Sequence, residues 1–336
     1  MVALQGRRIL IVGRDYFFYT RTIVEELKQA HGAEVTYIPI VAETFVYSAL
    51  KRIPGAARHW LARYHRAQIA ALAGQSFDAV LFIQVHQLEP ELVALYKESF
   101  SAARFILYYW DSLVTHDYRP YLKYFDEAWT FDPDDAQKEP AIKLLPLFFC
   151  ERFKSLRQQT SPVHDLVFVG TAMSARRYDD IVQFRRWASL NQVRFFDYLY
   201  VSPLFYLRSL VRGRRLRGVH FRPISAQRLI DIYTGARAIL DLPDNIQSGF
   251  TMRTFESLGA QRKLVTTQQR IASADFFDAT SVFVLGLHGE FPSAAFFRAS
   301  FLPNHHIEGH SLRAWLLQLF GSILITHAQE FDKVDH

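Results

Sequence analysis

The stretch QSGFTMRTFESLGA, residues 247–260, follows the apolar run ILDLPDNI and holds the residue types with the clearest chemistry. Gly249 permits a tight backbone turn after the strand-like run. The amides of Phe250, Thr251 and Met252 would then open a helix whose first N–H groups have no internal partner, and such a terminus receives phosphate oxygens. Glu256 falls one turn beyond Met252 on the same helix face, where its carboxylate can accept two hydrogen bonds from a vicinal diol such as a ribose. Phosphate at the turn and ribose at the acid describe a nucleotide. By themselves the same residues also describe an ordinary strand-to-helix loop with a surface acid behind it.

A second set of polar residues follows apolar runs in the first half of the chain: Gln84, His86, Asp111, Ser112, His116, Asp132 and Asp135. If those runs are strands of an open α/β sheet, these side chains lie at its carboxyl edge, where such sheets bind ligands. Other constellations are thin. NHHIEGH brings His305, His306, Glu308 and His310 close in sequence, but it lacks a helical HExxH arrangement and opens like a surface loop, so no metal site is expected. Cys150, set among Phe148, Phe149 and Phe153, reads as a small buried hydrophobe. GRDYFFYT, after the first apolar run, has one glycine where a dinucleotide site needs three, and GxxxxGK[ST] is absent. A nicotinamide oxidoreductase and a P-loop kinase are thereby disfavoured, and no GxSxG elbow occurs.

The elements that must position these residues follow an α/β rhythm. RRILIVG at 7–13 reads as a buried parallel strand, TRTIVEELKQA at 20–30 as a helix capped by Thr20, and AEVTYIPI as a second strand, which together make a βαβ unit. Further strands are expected at 78–85, 104–110 and 127–132. After a linker-like polar stretch at 154–162, the theme repeats with a strand at 164–172, a helix at 175–190, the strands VRFFDYLY, RAILDLP and KLVTT, and a short SVFVLG. The chain of 336 residues exceeds one core of ordinary size. Two Rossmann-like domains in tandem with an interdomain cleft are expected, at 1–155 and 163–310, with a helix in 311–336 packing back across the junction.

Half the residues are hydrophobic, with 29 Phe and 16 Tyr, which excludes a disordered or fibrous chain. No apolar run reaches the ~18 residues of a membrane span. The single cysteine and the lack of a basic-then-apolar opening stretch point to a reducing, cytoplasmic location. The net charge of +6 is unevenly placed: YLRSLVRGRRLRG at 206–218 holds Arg208, Arg212, Arg214, Arg215 and Arg217 and no acid. A solvated basic helix end is the plain reading. The interleaved leucines make peripheral contact with a membrane the functional one, and no nucleic-acid module accompanies the patch.

With these residues in order, the segment around Gly249 resembles the donor-binding motif of GT-B glycosyltransferases, especially the group-1 and family-4 type, in which a Glu-Gly-Phe-Gly turn leads to a second Glu. Ser248, Gly249, Phe250 and Thr251 match the turn and Glu256 the second acid, with Ser248 standing where the family has its first Glu. DLVFVGTAMSARRYDDI is similar to the strand that opens the family's second domain, with Gly170 and Thr171 at its tip and Arg176 and Arg177 beside a diphosphate. VHFRPISAQRLIDIYTGARAILDLP resembles the stretch that reads the base. The likeness covers roughly residues 165–270. YYWDSL, WTFDPDDA and LPLFF are similar to segments of bacterial envelope-polysaccharide enzymes.

The resemblance implies a metal-independent, cofactor-free glycosyltransferase that takes its sugar from a nucleotide-sugar held by the C-terminal domain. Arg253, Arg176 and Arg177 would balance the departing phosphate. Met252 completes the phosphate-binding turn. If transfer inverts the anomeric centre, a base must take the acceptor proton: Asp111 is the first choice, then Asp15, His86 and His116. The acceptor would be a lipid-linked or growing glycan, and the protein would work at the inner face of the plasma membrane in lipopolysaccharide or capsule synthesis. Two alternatives stay open, a GT-B-shaped epimerase or phosphorylase and a non-catalytic nucleotide-sugar-binding subunit.

Overall fold

The computed structural model describes residues 4–14, 16–41, 47, 50, 53, 55–158, 162–172, 174–243 and 246–324. It divides into two compact units. The first comprises residues 1–146, 245–249 and 312–336, and the second 147–244 and 250–311.

Unit 1 is built on a six-stranded sheet: β1 (Arg8–Gly13), β2 (Glu34–Pro39), β3 (Ala79–Ile83), β4 (Arg104–Tyr109), β5 (Glu127–Thr130) and β6 (Ile142–Leu144). The order is β2-β1-β3-β4-β5-β6 and every pairing is parallel. Continuous apolar runs suit this position, because helices cover both faces of such a sheet; β3 is buried throughout. The chain moves from β1 out to β2 and then back past β1 to β3. The carboxyl ends of β1 and β3 therefore flank a topological switch point. Helix Tyr19–Gln29 starts one residue before the expected Thr20 cap. The Thr20 hydroxyl instead donates to the Arg14 carbonyl at 2.6 Å, fixing the loop after β1. β6 was not legible in KLLPLFFC, since two of its three residues are exposed. Helix Leu312–Leu319 belongs to this unit, with Trp315 set edge-on against Tyr108 at 4.7 Å. The remainder of the expected C-terminal segment, residues 325–336, lies outside the described residues.

Unit 2 carries a five-stranded sheet: β7 (His164–Thr171), β8 (Phe195–Tyr200), β9 (Ala236–Asp241), β10 (Lys263–Thr266) and β11 (Val282–Val284). Its order, β11-β10-β9-β7-β8, is again all parallel and places a switch point between β7 and β9. Helices enter through side-chain caps: Ser174, Ser202, Ser225 and Thr251 each accept the amide three residues on. Of the polar stretch at 154–162 that reads as a linker, residues 154–158 belong to a 3-10 helix, Glu151–Gln158, fastened to this unit, and 159–161 lie outside the described residues. Arg262 donates to the Leu156 carbonyl at 2.6 Å, and Arg157 to the Gly259 carbonyl at 2.8 Å. VHFRPI contributes no strand; its only pairing is a single bridge from His220 to Tyr200. Among the described residues, no helix is long and apolar enough to cross a membrane.

Candidate functional site

At the switch point of unit 1, three of the expected base candidates converge. Asp111 follows β4, while Gln84 and His86 follow β3. His116 returns on a turn in which its amide bonds the Ser112 carbonyl at 3.0 Å. Asp135 accepts the Leu113 amide at 2.7 Å, so this acid fastens the loop carrying Asp111 and His116. Gln84 adopts φ +67, a left-handed conformation uncommon for a side-chain-bearing residue, and it is buried. The conformation turns its amide onto Asp111, to which Nε2 donates at 2.7 Å. Asp15 lies outside the described residues.

Burial pushes the Asp111 carboxyl above the ordinary aspartate range, although His116, Arg14 and Gln247 pull the other way. A carboxylate with raised proton affinity is a stronger base. His86 moves oppositely: burial, then His116 and Arg14, bring its pKa down to about 4. Its Nδ1 lies 3.2 Å from the Tyr109 hydroxyl. At neutral pH His86 is therefore an uncharged ring.

The ligand atoms of His86, Asp111 and His116 all lie within 4.8 Å of one another, the one such group among the described residues. The two imidazoles are stacked, however, with centroids 4.1 Å apart and planes 16° from parallel. A metal bonds an imidazole nitrogen close to the plane of its ring. Two nearly parallel planes at that separation share no such point, so joint ligation requires one ring to turn. The NHHIEGH residues do not gather: Glu308 pairs with Arg157 and Lys154, His306 faces Asp275, and His310 stacks on Phe255.

Residues 246–249 also pack in unit 1. The Ser248 amide donates to Asp132 at 2.8 Å, and its hydroxyl donates to the same carboxylate. Gly249 has no left-handed backbone to explain it. A glycine is required there because a Cβ would come within 2.5 Å of the Phe131 carbonyl oxygen and would overlap the Phe131 ring. Close approach, rather than the turn expected from sequence, accounts for this residue.

Phe250 onward belongs to unit 2, where helix Met252–Gly259 follows β9. Thr251 caps it, with Oγ1 accepting the Thr254 amide and donating to Asp241 at 2.5 Å. Asp241 also accepts from the Thr254 hydroxyl at 3.2 Å and from Arg253 at 2.9 Å. The negative charge favoured at a helix N-terminus is thus supplied here in part by a buried side chain. Arg253 bridges to β7 through the Val169 carbonyl at 2.6 Å and lies 5.6 Å over the Phe168 ring. That ring occupies the space a Cβ on Gly170 would need. Burial opposes the charge of Arg253, but Tyr233, Asp241 and Glu256 outweigh it and raise its pKa. Glu256 is 2% exposed and sits within this buried set in the present conformation. Phe250 contacts Phe255 and Phe276 edge-on. Thr171 ends β7, while Arg176 and Arg177 occupy the first turn of helix Ala175–Leu190.

The sequence offered little sign of Asp241, and it placed Gln84 at a sheet edge without showing its grip on Asp111. Asp241 is the polar exception at the end of the apolar run RAILDLP, and Gln84 is one glutamine after another such run. Only the strand order shows that each borders a switch point.

No protein-family model matches the chain, and no curated protein matches its sequence. Solved structures do. The catalytic domain of starch synthase IV from Arabidopsis thaliana, bound to ADP and acarbose, aligns with TM-score 0.51 at 8% identity, over 98% of this chain and 99% of that one. A 2.2 Å structure of a protein named as a UDP-N-acetylglucosamine 2-epimerase from Listeria monocytogenes aligns at 0.46 and 9%, over 92% and 91%. MurG from Acinetobacter baumannii aligns at 0.42 and 11%, over 96% and 95%. With the two parallel sheets, the starch synthase likeness defines the fold as GT-B. At these identities the likeness is one of fold alone.

Proposed function

We infer that the chain is a glycosyltransferase that moves a sugar from a nucleotide-sugar donor onto an acceptor hydroxyl. The observation that carries this reading is Asp111: a carboxylate with raised proton affinity, held by a strained Gln84 beside two imidazoles at a sheet's switch point. Unit 1 supplies the acceptor site and its base. Unit 2 supplies the donor site, with Gly170 and Thr171 at the tip of β7 and Arg176 and Arg177 beyond it. Two cations in a helix's first turn oppose its dipole, and a diphosphate beside them reverses that penalty. Starch synthase IV, of the same fold, was crystallised with ADP.

Helix dipole and arginines replace a metal in stabilising the leaving phosphate. The acceptor we propose is a lipid-linked or polysaccharide glycan of the bacterial envelope. A thermal-shift screen of nucleotide-sugars, followed by product analysis with and without acceptor, tests the reading. Stabilisation by a nucleotide-sugar, weakened in Arg176→Ala/Arg177→Ala, is expected, and transfer should disappear in Asp111→Asn. Release of free or epimerised sugar regardless of acceptor would assign the fold to epimerase or phosphorylase chemistry. Donor binding without turnover, unchanged in Asp111→Asn, would assign it to a binding subunit. A wild type that no nucleotide-sugar stabilises would remove the donor site.

A further inference from the structure

Helix Pro203–Val211 of unit 2 is apolar on its outer face as well as its inner one. Leu204, Leu207 and Val211, which share one face at helical spacing, are 56%, 58% and 82% exposed, with Leu210 beside them at 41%. Phe205, Tyr206 and the buried Ser209 face the interior: the two rings pack against the core of unit 2, and the Ser209 hydroxyl donates back to the Phe205 carbonyl at 2.9 Å. These two rings hold the helix to its own unit, so the aliphatic stripe is surplus to that packing. Phe221, 47% exposed, extends the apolar surface and meets Tyr206 edge-on at 5.1 Å.

Around this stripe the charge has one sign. No Asp or Glu occurs between Asp197 and Asp231. Arg208, Arg212, Arg215, Arg217 and Arg222 are exposed. Among the described residues, no carboxylate lies within ion-pair distance of any of these five. Arg214, Arg185 and Arg194 nearby are by contrast paired, with Asp179, Asp197 and Asp165. The loop that carries the free arginines is itself held. Leu216 is buried, the Arg214 amide bonds the Ser209 carbonyl at 2.8 Å, and the Arg217 amide bonds the Tyr178 hydroxyl at 2.8 Å. A fixed apolar stripe with unneutralised guanidinium groups on a rigid rim has the chemistry of a helix lying in a lipid interface. Acyl chains take the leucines, and anionic headgroups take the arginines.

We propose that residues 203–222 form a docking surface for an anionic lipid bilayer, engaged through Leu204, Leu207 and Val211 and rimmed by Arg208, Arg212 and Arg215. The assignment is independent of the chemistry proposed above, since none of these residues belongs to either candidate site. The test is co-sedimentation of the full chain with phosphatidylcholine vesicles, with and without phosphatidylglycerol, at low and high salt. The wild type should pellet only with vesicles containing phosphatidylglycerol, and salt should release it. Leu207→Glu/Val211→Glu and Arg212→Glu/Arg215→Glu should each lower partitioning at least about tenfold. Both pairs are surface side chains, so an unchanged unfolding temperature confirms that the variants fold. A wild type that stays in the supernatant with both vesicle types overturns the proposal, as does equal pelleting of wild type and variants. So does a concentration-dependent dimer that Leu207→Glu/Val211→Glu dissolves while vesicles are ignored, because the stripe then belongs to a second copy.

Discussion

Ser248 gives both its amide and its hydroxyl to one carboxylate, that of Asp132, which lies 116 positions earlier in the chain. Asp132 is also the N-cap of helix Pro133–Lys138, accepting the amides of Asp134 at 3.0 Å and Asp135 at 3.3 Å. The Asp134 amide in turn reaches the Ser248 hydroxyl at 3.1 Å. A serine at 248 is therefore the complement of an acid at 132. The position where the resembling motif has a glutamate is, in this chain, a hydrogen-bond donor to another acid.

Restoring the motif's acid should harm the protein. Ser248→Glu sets a second carboxylate against the buried Asp132 and removes the hydrogen bond that the hydroxyl gives it, or displaces the segment whose amide gives the other. The expected cost is about 2–4 kcal/mol of unfolding free energy, against about 1–2 kcal/mol for Ser248→Ala. Urea denaturation of the three proteins checks the order. A glutamate variant as stable as wild type would show that the Asp132 contact has little energetic weight.

Arg253 is the ion partner of Asp241, with side chains 23% and 1% exposed. Removing one member of a buried pair leaves the other charge stranded, which costs far more than the pair itself contributes. Arg253→Met should lower stability by about 3–5 kcal/mol. Asp241→Asn in the same chain should recover part of that loss, because the stranded charge is then gone. A double-mutant cycle in chemical denaturation measures the coupling, and strict additivity would contradict it.

The strands and their α/β alternation were legible because parallel strands are apolar without interruption. RILIVG, AVLFI and RFILYY could be read directly, whereas the serine caps at 174, 202 and 225 were not picked out. The exposed β6 carried no such signal. The clustering of His86, Asp111 and His116 was readable as a shared sheet edge, but not the left-handed Gln84 that clamps the acid, since a backbone conformation forced by tertiary packing leaves no mark in composition. The stretch around Gly249 was misread in one respect for the same reason. The need for glycine comes from Phe131, a residue distant in sequence.

The His86 and Asp111 shifts act on stability with opposite signs. An exposed imidazole titrates near 6.5 and His86 in the folded chain at about 4. Between those values the unfolded chain holds more protons, so stability falls as pH falls through that window. Asp111, raised in the folded chain, takes up its proton before the unfolded chain does and offsets part of the loss at the acid end. His86→Asn should therefore flatten the decline from pH 6.5 toward 4, whereas Asp111→Asn should steepen it. Thermal unfolding across that range would count against this account if the wild-type and His86→Asn curves ran parallel.

Turnover should depend on the Asp111 carboxylate and not on a metal. Asn keeps the shape of Asp111 and its contact with Gln84 but cannot take a proton, so Asp111→Asn should reduce transfer about 10²–10⁴-fold with little change in donor binding. Gln84→Ala should cost less, because it loosens the carboxylate without removing it, and the loss should fall on turnover rather than on donor affinity. The stacked geometry of His86 and His116 offers no common ligation point as it stands, so dialysis against a chelator should leave the rate unchanged. Recovery of a chelated, inactive enzyme by a divalent cation would instead mean that one imidazole turns and that the three side chains hold a metal during the reaction.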